Sequence, residues 1–183
     1  PVANLGFAQV DLDRERRKGF PEVVFGGGKT AAQVLAITPR LHEAGQRVLV
    51  TRIGPDHATA VLRHFPSAVH HPTARCITLQ AEPIAKRPGT IAVLCAGTSD
   101  LPVADEAAVT ADFMGNQVIR INDIGVAGIH RLFRRIDEIR AANVVIATAG
   151  MEGALPSVVA GLIRRPIIAV PTSVGYEIGR AHV

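Results

Sequence analysis

The stretch Thr90–Leu101 reads TIAVLCAGTSDL and joins an apolar run to a short polar loop. Its first part, 90–95, does not alternate between apolar and polar positions, which is typical of a strand buried on both faces of a parallel sheet. The tetrad Gly97–Asp100 then leads into a helical pattern in which Pro102 suits the first turn. Small and hydroxylic residues before a helix favour a bound anion, although an ordinary helix cap explains the same residues.

The alternation of strand and helix continues towards the C-terminus. Repeated βα units of this kind imply right-handed crossovers and a parallel sheet whose loops meet at its carboxyl edge, where ligands bind. The predicted strands are 90–95, 117–121, 143–147 and 166–170, the predicted helices are 102–115, 128–141 and 154–163, and the edge loops are 96–101, 122–130, 148–154 and 171–176.

The residues before Thr90 predict a smaller α/β region. Charged residues 11–18 predict the end of a helix, and 81–89, rich in proline and charge, predicts a linker. We therefore expect an N-terminal region over 1–85 and a second domain over 86–183. The first is expected to hold strands 22–25, 46–51, 68–70 and 75–80 with helices 31–44 and 55–64.

The composition limits the classes of protein to which the chain can belong. Hydrophobic residues make up 48% of the 183 residues but aromatic residues only 4%, so the core must consist of Ala, Val, Ile and Leu. A net charge of +4 from scattered arginines, with few aromatics, favours phosphate-bearing small molecules over nucleic acid. The sequence has no apolar run of about 18 residues, the length that a membrane-spanning helix needs. Cys76 and Cys95 lie in strand-like runs, which favours reduced thiols and a cytoplasmic protein.

The GGGKT segment at Gly26–Thr30 resembles a P-loop, which cradles nucleotide phosphates. The first glycine of that motif would fall at Val23, so we do not expect hydrolysis of nucleoside triphosphates. Lys29 could still contact an anion at the start of its helix. The histidines, including the pair at 70–71, do not have the spacing of metal ligands.

The later edge loops carry side chains suited to chemistry. His130 and Arg131 begin the second helix, where an imidazole can transfer protons near neutral pH and a guanidinium can bind phosphate. The carboxylate of Glu152, beside glycines in the third loop, could bind a ribose hydroxyl, a metal or a proton. Thr172 and Ser173 in the fourth loop could close the pocket. A solvated helix face explains the second loop equally well, and a polar turn explains the fourth. A glycine-containing connection explains the glycines of the third loop but not the carboxylate beside them.

These loops, in this order, resemble those of the PurE family of aminoimidazole ribonucleotide carboxylases and mutases. The motifs are Gly97–Asp100, Ile129–Arg131 and Ala149–Pro156. The resemblance implies a three-layer αβα parallel sheet of flavodoxin-like type. It also implies, as one function, an N5-carboxyaminoimidazole ribonucleotide mutase or carboxylase of purine biosynthesis with His130 as proton shuttle. Ala154 departs from the family pattern, which has a histidine before Leu-Pro.

A longer resemblance, to the PurE-related LarB family, covers essentially the whole chain. It implies a pyridinium-3,5-biscarboxylic acid mononucleotide synthase of nickel-pincer cofactor biosynthesis. Such an enzyme carboxylates nicotinic acid adenine dinucleotide at pyridinium C5, with CO2 or bicarbonate as co-substrate, and cleaves the phosphoanhydride to release AMP. The resemblance rests on Gly19–Gly26 with Gly28–Thr30, Ala96–Asp100, Gly125–Arg131, Gly150–Ser157 and Pro171–Tyr176.

The LarB resemblance implies roles for individual residues. We expect His130, Asp100 and Glu152 to be catalytic, with Asp100 and Glu152 as candidate ligands of a magnesium ion. We expect no organic prosthetic group, no nucleic-acid or membrane partner, and a homo-oligomer, which is an octamer in the family. The residues expected to bind substrate or phosphate are Gly97, Thr98, Ser99, Arg131, Gly150, Met151, Gly153, Thr172 and Ser173.

One departure from the LarB pattern concerns the nucleophile. In that family, Val-Gly-Tyr is followed by a Gly-Ala-Ser-Phe-Gly-Gly stretch and later by a Ser-Cys loop with the proposed covalent cysteine. Here residues 177–183 do not follow the pattern, and neither Cys76 nor Cys95 occupies the matching position. We therefore expect a C-terminally truncated and catalytically incomplete chain. A non-catalytic nucleotide-binding module stays open as an alternative, beside the PurE-type mutase.

Overall fold

The computed structural model describes residues 2–80 and 84–173. The chain divides into two compact units, residues 1–84 and residues 85–183, and each contains its own hydrophobic core. Within the described ranges, no helix has the length and apolar character needed to cross a bilayer. The mixed α/β architecture predicted from the sequence is confirmed.

The N-terminal unit combines short strands with helices. In chain order its elements are β1 (Val2–Asn4), β2 (Gln9–Asp11), α1 (Arg14–Lys18), β3 (Val23–Phe25), α2 (Ala31–Glu43), β4 (Val48–Thr51), α3 (Pro55–His64), β5 (Val69–His71) and β6 (Cys76–Leu79). A mixed sheet has the strand order β3-β4-β6-β5, in which only β3 and β4 are parallel. Thr30 and Gln33 form a capping box at the start of α2, which fixes that helix boundary.

Two features of the N-terminal unit differ from the sequence-based expectation. The antiparallel hairpin of β1 and β2 was not predicted, because strands of three residues are too short to show a period. The charged segment 11–18 is helical only over α1, which has no buried residue and ends at Gly19 in a left-handed conformation. Val10 of β2 is buried with Val34 and Leu41 of α2, so the hairpin contributes to the core.

The C-terminal unit is a parallel sheet covered by helices. In chain order its elements are β7 (Thr90–Cys95), α4 (Leu101–Phe113), β8 (Gln117–Ile121), α5 (Ile129–Arg134), α6 (Ile136–Ala141), β9 (Val144–Ala149), α7 (Ala154–Leu162) and β10 (Ile167–Pro171), with 3-10 turns at Thr98–Asp100 and Val126–Gly128. The strand order is β10-β9-β7-β8, and every neighbouring pair is parallel. This is the flavodoxin-like arrangement implied by the PurE resemblance.

Alternate residues of β7 face two different helical layers. Cys95 packs in a cluster with Ala104 of α4. Leu94 packs in a second cluster that includes Leu132 of α5 and Leu155 of α7. Because neighbouring positions of one strand point to opposite faces of the sheet, α4 and the later helices form separate layers. The three-layer αβα prediction is therefore confirmed.

The prediction of one continuous helix over 128–141 is wrong. The segment begins as a 3-10 turn and then forms α5 and α6, which meet at Arg135 with φ of −111° and ψ of 7°. Leu132 and Ile139 are nevertheless both fully buried in the same core cluster. Core packing on both sides of the break thus holds a conformation that helical periodicity alone does not predict.

Candidate functional site

The loops that follow β7, β8, β9 and β10 all lie at the carboxyl edge of the parallel sheet. β7 is paired with β8 on one side and β9 on the other, and α4 covers the opposite face from the helices that follow β8 and β9. The loops after β7 and β9 therefore diverge at a topological switch point, where open α/β sheets bind ligands. This edge is the candidate site.

Backbone hydrogen bonds join the four edge loops. The amide of Ala96 donates to the carbonyl of Thr148 over 3.0 Å, which ties the first loop to the third. The amide of Gly125 donates to the carbonyl of Ala96 over 2.8 Å, which ties the second loop to the first. The amide of Thr172 donates to the carbonyl of Ala149 over 3.0 Å, which ties the fourth loop to the third. The edge is thus one hydrogen-bonded structure.

The first loop is closed by internal hydrogen bonds. The amide of Gly97 donates to Oδ2 of Asp100 over 3.1 Å, and the amide of Asp100 donates to the carbonyl of Gly97 over 3.0 Å. Thr98 and Ser99 lie between them and are exposed. Among the described residues, no protein group forms a hydrogen bond with the hydroxyl of either side chain. The loop therefore presents two hydroxyl groups to solvent at the start of α4.

The side chain of Asp100 is turned into the protein. Only 5% of the residue is exposed, and the hydroxyl of Thr172, itself buried, donates to Oδ1 over 2.5 Å. Asp100 and Thr172 were predicted to act on substrate, whereas the structure joins them to each other beneath the first loop. Their predicted roles in catalysis and substrate binding stay predictions, and in this geometry the pair fixes the loop.

The expected magnesium site does not fit the described residues. Both carboxylate oxygens of Asp100 accept hydrogen bonds from protein groups, so neither is presented to a cation. Glu152 is exposed in the third loop. Over 2–80 and 84–173, no three His, Cys, Asp or Glu side chains come together as a metal site. We derive no chemical step that depends on a metal.

The second loop brings Arg131 back towards the strand end. Arg131 Nη1 donates to Oδ2 of Asp123, and the two side chains form an ion pair. Asp123 lies two residues after the end of β8 and has a left-handed φ of 57°. The amide of the next residue, Ile124, donates to the carbonyl of Cys95 over 3.2 Å. Arg131 is thereby connected to the base of the first loop, while His130 is exposed at the start of α5.

The third loop turns through two left-handed residues. Met151 has a φ of 52° and Gly153 a φ of 66°, and the amide of Gly153 donates to the carbonyl of Gly150 over 2.9 Å. This tight turn leaves Glu152 exposed between Met151 and Gly153. Ser173 in the fourth loop is also exposed. Val174–Val183, including the segment that departs from the LarB pattern, lie outside the described residues.

The sequence did not identify the residues that support the first loop from below. The thiol of Cys95 donates to the carbonyl of Gly97 over 3.0 Å, and the hydroxyl of Thr148 donates to the carbonyl of Leu94 over 2.9 Å. Burial of Cys95 raises the pKa of its thiol to about 11, and the nearby carboxylate of Asp100 raises it further against the effect of the hydrogen bonds. Cys95 is therefore a neutral thiol at physiological pH. In the sequence, only the position of Cys95 directly before Ala96 and Gly97 pointed to its role in supporting the first loop.

Comparison with known proteins agrees with this fold. Residues 2–82 match the LarB/PurE-like N-terminal domain, and residues 90–182 match the AIR carboxylase family. The chain belongs to the LarB/PurE-related family. Uncharacterized protein MJ0165 of Methanocaldococcus jannaschii is 37% identical over 178 residues, which cover 93% of this chain and 70% of that relative.

A second relative of this LarB/PurE-related chain carries a functional name. The N5-carboxyaminoimidazole ribonucleotide mutase of Methanocaldococcus jannaschii is 36% identical over 84 residues, which cover 44% of this chain and 51% of the mutase. Membership of the AIR carboxylase family indicates an enzyme of the carboxylase or mutase type.

Proposed function

We propose that the carboxyl edge of the C-terminal sheet is the active site of a LarB-type carboxylase that acts on nicotinic acid adenine dinucleotide. The observation that carries the proposal is the hydrogen-bonded set of edge loops at the switch point, with Ser99, His130 and Glu152 all exposed on them. The LarB-type N-terminal domain, matched over 2–82, supports the LarB branch of the family.

The first two loops suit the diphosphate of a dinucleotide. Backbone N–H groups at the start of α4 and the exposed hydroxyls of Thr98 and Ser99 supply donors. Arg131 supplies a guanidinium, which binds phosphate oxygens in a fork geometry. The turn at Gly150–Gly153 brings the backbone close to the edge and offers the carboxylate of Glu152 to ribose hydroxyls. We therefore assign the diphosphate to the first two loops and a ribose to the third.

Carboxylation of a pyridinium ring needs a nucleophile to add before CO2 does, because the ring is electron-poor. After that addition, C5 bonds to the carbon of CO2, the C5 proton leaves to a base, and the nucleophile departs with its electron pair. We assign the base to His130, which is exposed at this edge and whose side-chain type transfers protons near neutral pH. Separately, water attacks one phosphorus of the phosphoanhydride, and AMP leaves.

Neither cysteine of the chain suits the nucleophilic step. The thiolate is the reactive form of cysteine, and the pKa of Cys95 is raised to about 11 by burial. The thiol of Cys95 also donates to the carbonyl of Gly97 beneath the loop, away from solvent. Cys76 is buried in the N-terminal unit. We therefore assign the nucleophile to neither residue.

The PurE-type mutase is the competing function. The named mutase matches 44% of the chain, whereas MJ0165 matches 93% of it. Ala154 begins α7 where the PurE pattern has a histidine, so the third loop lacks the imidazole of that pattern. The departure from the PurE pattern at Ala154 supports our preference for the LarB-type reaction.

The test is incubation of the full-length gene product with nicotinic acid adenine dinucleotide and carbon-labelled bicarbonate, followed by mass spectrometry. The proposal expects AMP and a mononucleotide that carries one additional labelled carboxyl group. A parallel incubation with N5-carboxyaminoimidazole ribonucleotide is expected to show no conversion. Conversion of that ribonucleotide alone would establish the PurE-type reaction instead. Binding of the dinucleotide without AMP or label uptake would indicate a non-catalytic nucleotide-binding module and contradict the proposal.

A further inference from the structure

The guanidinium of Arg131 lies across the turn between β8 and α5 and is held from two sides. On one side, Nη1 donates to Oδ2 of Asp123. On the other, the guanidinium lies directly over Gly128: a Cβ at that position would come within 2.6 Å of both Nε and Nη2. The long, flexible side chain of Arg131 is thus held by the carboxylate of Asp123 and occupies the space that a Cβ at position 128 would fill.

Asp123 is well suited to this contact because of its backbone. Its φ of 57° is a left-handed conformation that Asp and Asn tolerate better than most side chains. That conformation occurs two residues after the end of β8, and the amides of Ile124 and Gly125 then donate to the carbonyls of Cys95 and Ala96. The turn that carries Asp123 is therefore fastened to the first edge loop.

Gly128 contributes space rather than backbone freedom. Its φ of −124° is accessible to any residue, so the glycine is not required by the conformation of the chain. The space above it is filled by the Arg131 side chain instead. A larger residue at this position would push the guanidinium aside and leave its charge unchanged.

Arg131 retains hydrogen-bonding capacity in this position. Nε is buried and has no hydrogen-bond partner among the described residues, and the one described ion pair is made through Nη1. A guanidinium carries five N–H donors, and a buried donor without an acceptor is unfavourable. An oxyanion could accept from the N–H groups of Nη1 and Nη2 that the described ion pair does not use.

We propose that Asp123 and Gly128 are positioning residues that hold the Arg131 guanidinium for a phosphate oxyanion at the carboxyl edge of the sheet. The inference rests on the proposed function only in taking that edge as the binding site. It concerns binding rather than turnover, so it can be tested with a simple oxyanion.

The experiment measures the dissociation constants of inorganic pyrophosphate and of nicotinic acid adenine dinucleotide by calorimetry. Asp123→Gly removes the carboxylate and keeps the left-handed backbone, and Gly128→Ala displaces the guanidinium. We expect each change to weaken both probes by about fivefold, the upper range for an exposed ion pair. Asp123→Asn, which keeps an acceptor for Nη1, is expected to fall between wild type and Asp123→Gly.

Two matched controls separate positioning from general effects. Asp137→Ala breaks the exposed Asp137–Arg140 ion pair, and Gly161→Ala adds a Cβ where nothing lies within 4 Å. Both are expected to bind the probes like the wild type. In an Arg131→Ala background, Asp123→Gly and Gly128→Ala are expected to cause no further loss, because they act through Arg131.

Several results would overturn the inference. These are wild-type affinity in both variants, an equal additional loss in the Arg131→Ala background, or no binding of either probe to the wild type. Thermal melting monitors the fold, and a variant that melts like the wild type but binds more weakly supports the inference. The proposed function is judged separately by AMP release: anion binding that depends on Asp123 can stand even if no AMP is formed.

Discussion

The hydroxyl of Thr172 donates a 2.5 Å hydrogen bond to Oδ1 of Asp100, and 72 positions separate the two residues in the chain. Both side chains are buried. The bond joins the residue after β10 to the end of the first edge loop, whose Gly97 amide donates to the other carboxylate oxygen. The shape of the loop after β7 therefore depends on the strand at the far edge of the sheet.

Thr172→Val is expected to destabilise the C-terminal unit. Valine has a similar shape but no hydroxyl, so Oδ1 of Asp100 would remain buried without its donor. Loss of a hydrogen bond to a charged group costs about 1.5–3 kcal/mol of unfolding free energy. Urea unfolding followed by circular dichroism measures the change. Thr172→Ser, which keeps the hydroxyl, and Ser173→Ala, at the exposed neighbouring position, serve as controls, and a loss as large in either would argue against the bond.

Gly125→Ala is expected to disturb the junction between the first two loops. A Cβ at Gly125 would lie 2.8 Å from the carbonyl oxygen of Ala96, which is backbone and cannot move aside easily. Overpacking of this kind typically costs about 1–3 kcal/mol. Gly161→Ala, with open space around its Cβ, is the matched control. Equal unfolding midpoints for the two alanine variants would show that the junction tolerates the shift.

Stability is expected to fall at alkaline pH because of Cys95. Burial raises the pKa of its thiol from 9.0 to about 11 in the folded protein. The stabilisation from this group is therefore fully present below about pH 9, where the unfolded thiol begins to ionise, and is lost as the pH rises towards 11. The difference in unfolding free energy between wild type and Cys95→Ala isolates this group from Cys76. A difference that stays constant between pH 8 and pH 11 would contradict the raised pKa.

The reactivity of the same thiol provides a second measurement. In a Cys76→Ala background, a thiol-specific reagent should label native Cys95 slowly at pH 8, because the thiolate is scarce and the side chain is buried. Labelling should become rapid once the protein is unfolded in urea. Fast labelling of the native protein would place Cys95 in a more open environment than the structure does.

The fold was predictable because its signal is local and repeated. The apolar run at β7 and the units that follow each specify a strand and a helix, and parallel strands bring their loops to one edge whatever the details. The break at Arg135 was not predictable, because packing of Leu132 and Ile139 on both sides of it is a long-range effect.

The candidate site was predictable in its position more than in the roles of its residues. The sequence motifs predicted that Asp100 and Thr172 lie in loops at the same edge of the sheet, and the structure places both residues there. A sequence does not show that two polar residues in different loops satisfy each other. The support from Cys95, Thr148 and Asp123 went unnoticed for the same reason: each acts through a partner brought near by the fold.

The dinucleotide should stabilise the C-terminal unit selectively. Because the chain has two compact units with separate cores, thermal unfolding is expected to resolve two transitions. A ligand bound to one native unit at about a hundredfold its dissociation constant adds about 2.7 kcal/mol to that unit alone. Ser99→Ala removes an exposed hydroxyl of the first loop and should reduce this shift at the same ligand concentration. Ser157→Ala, at an exposed position on α7, should not. A shift of the N-terminal transition, or equal shifts in both variants, would place the binding site elsewhere.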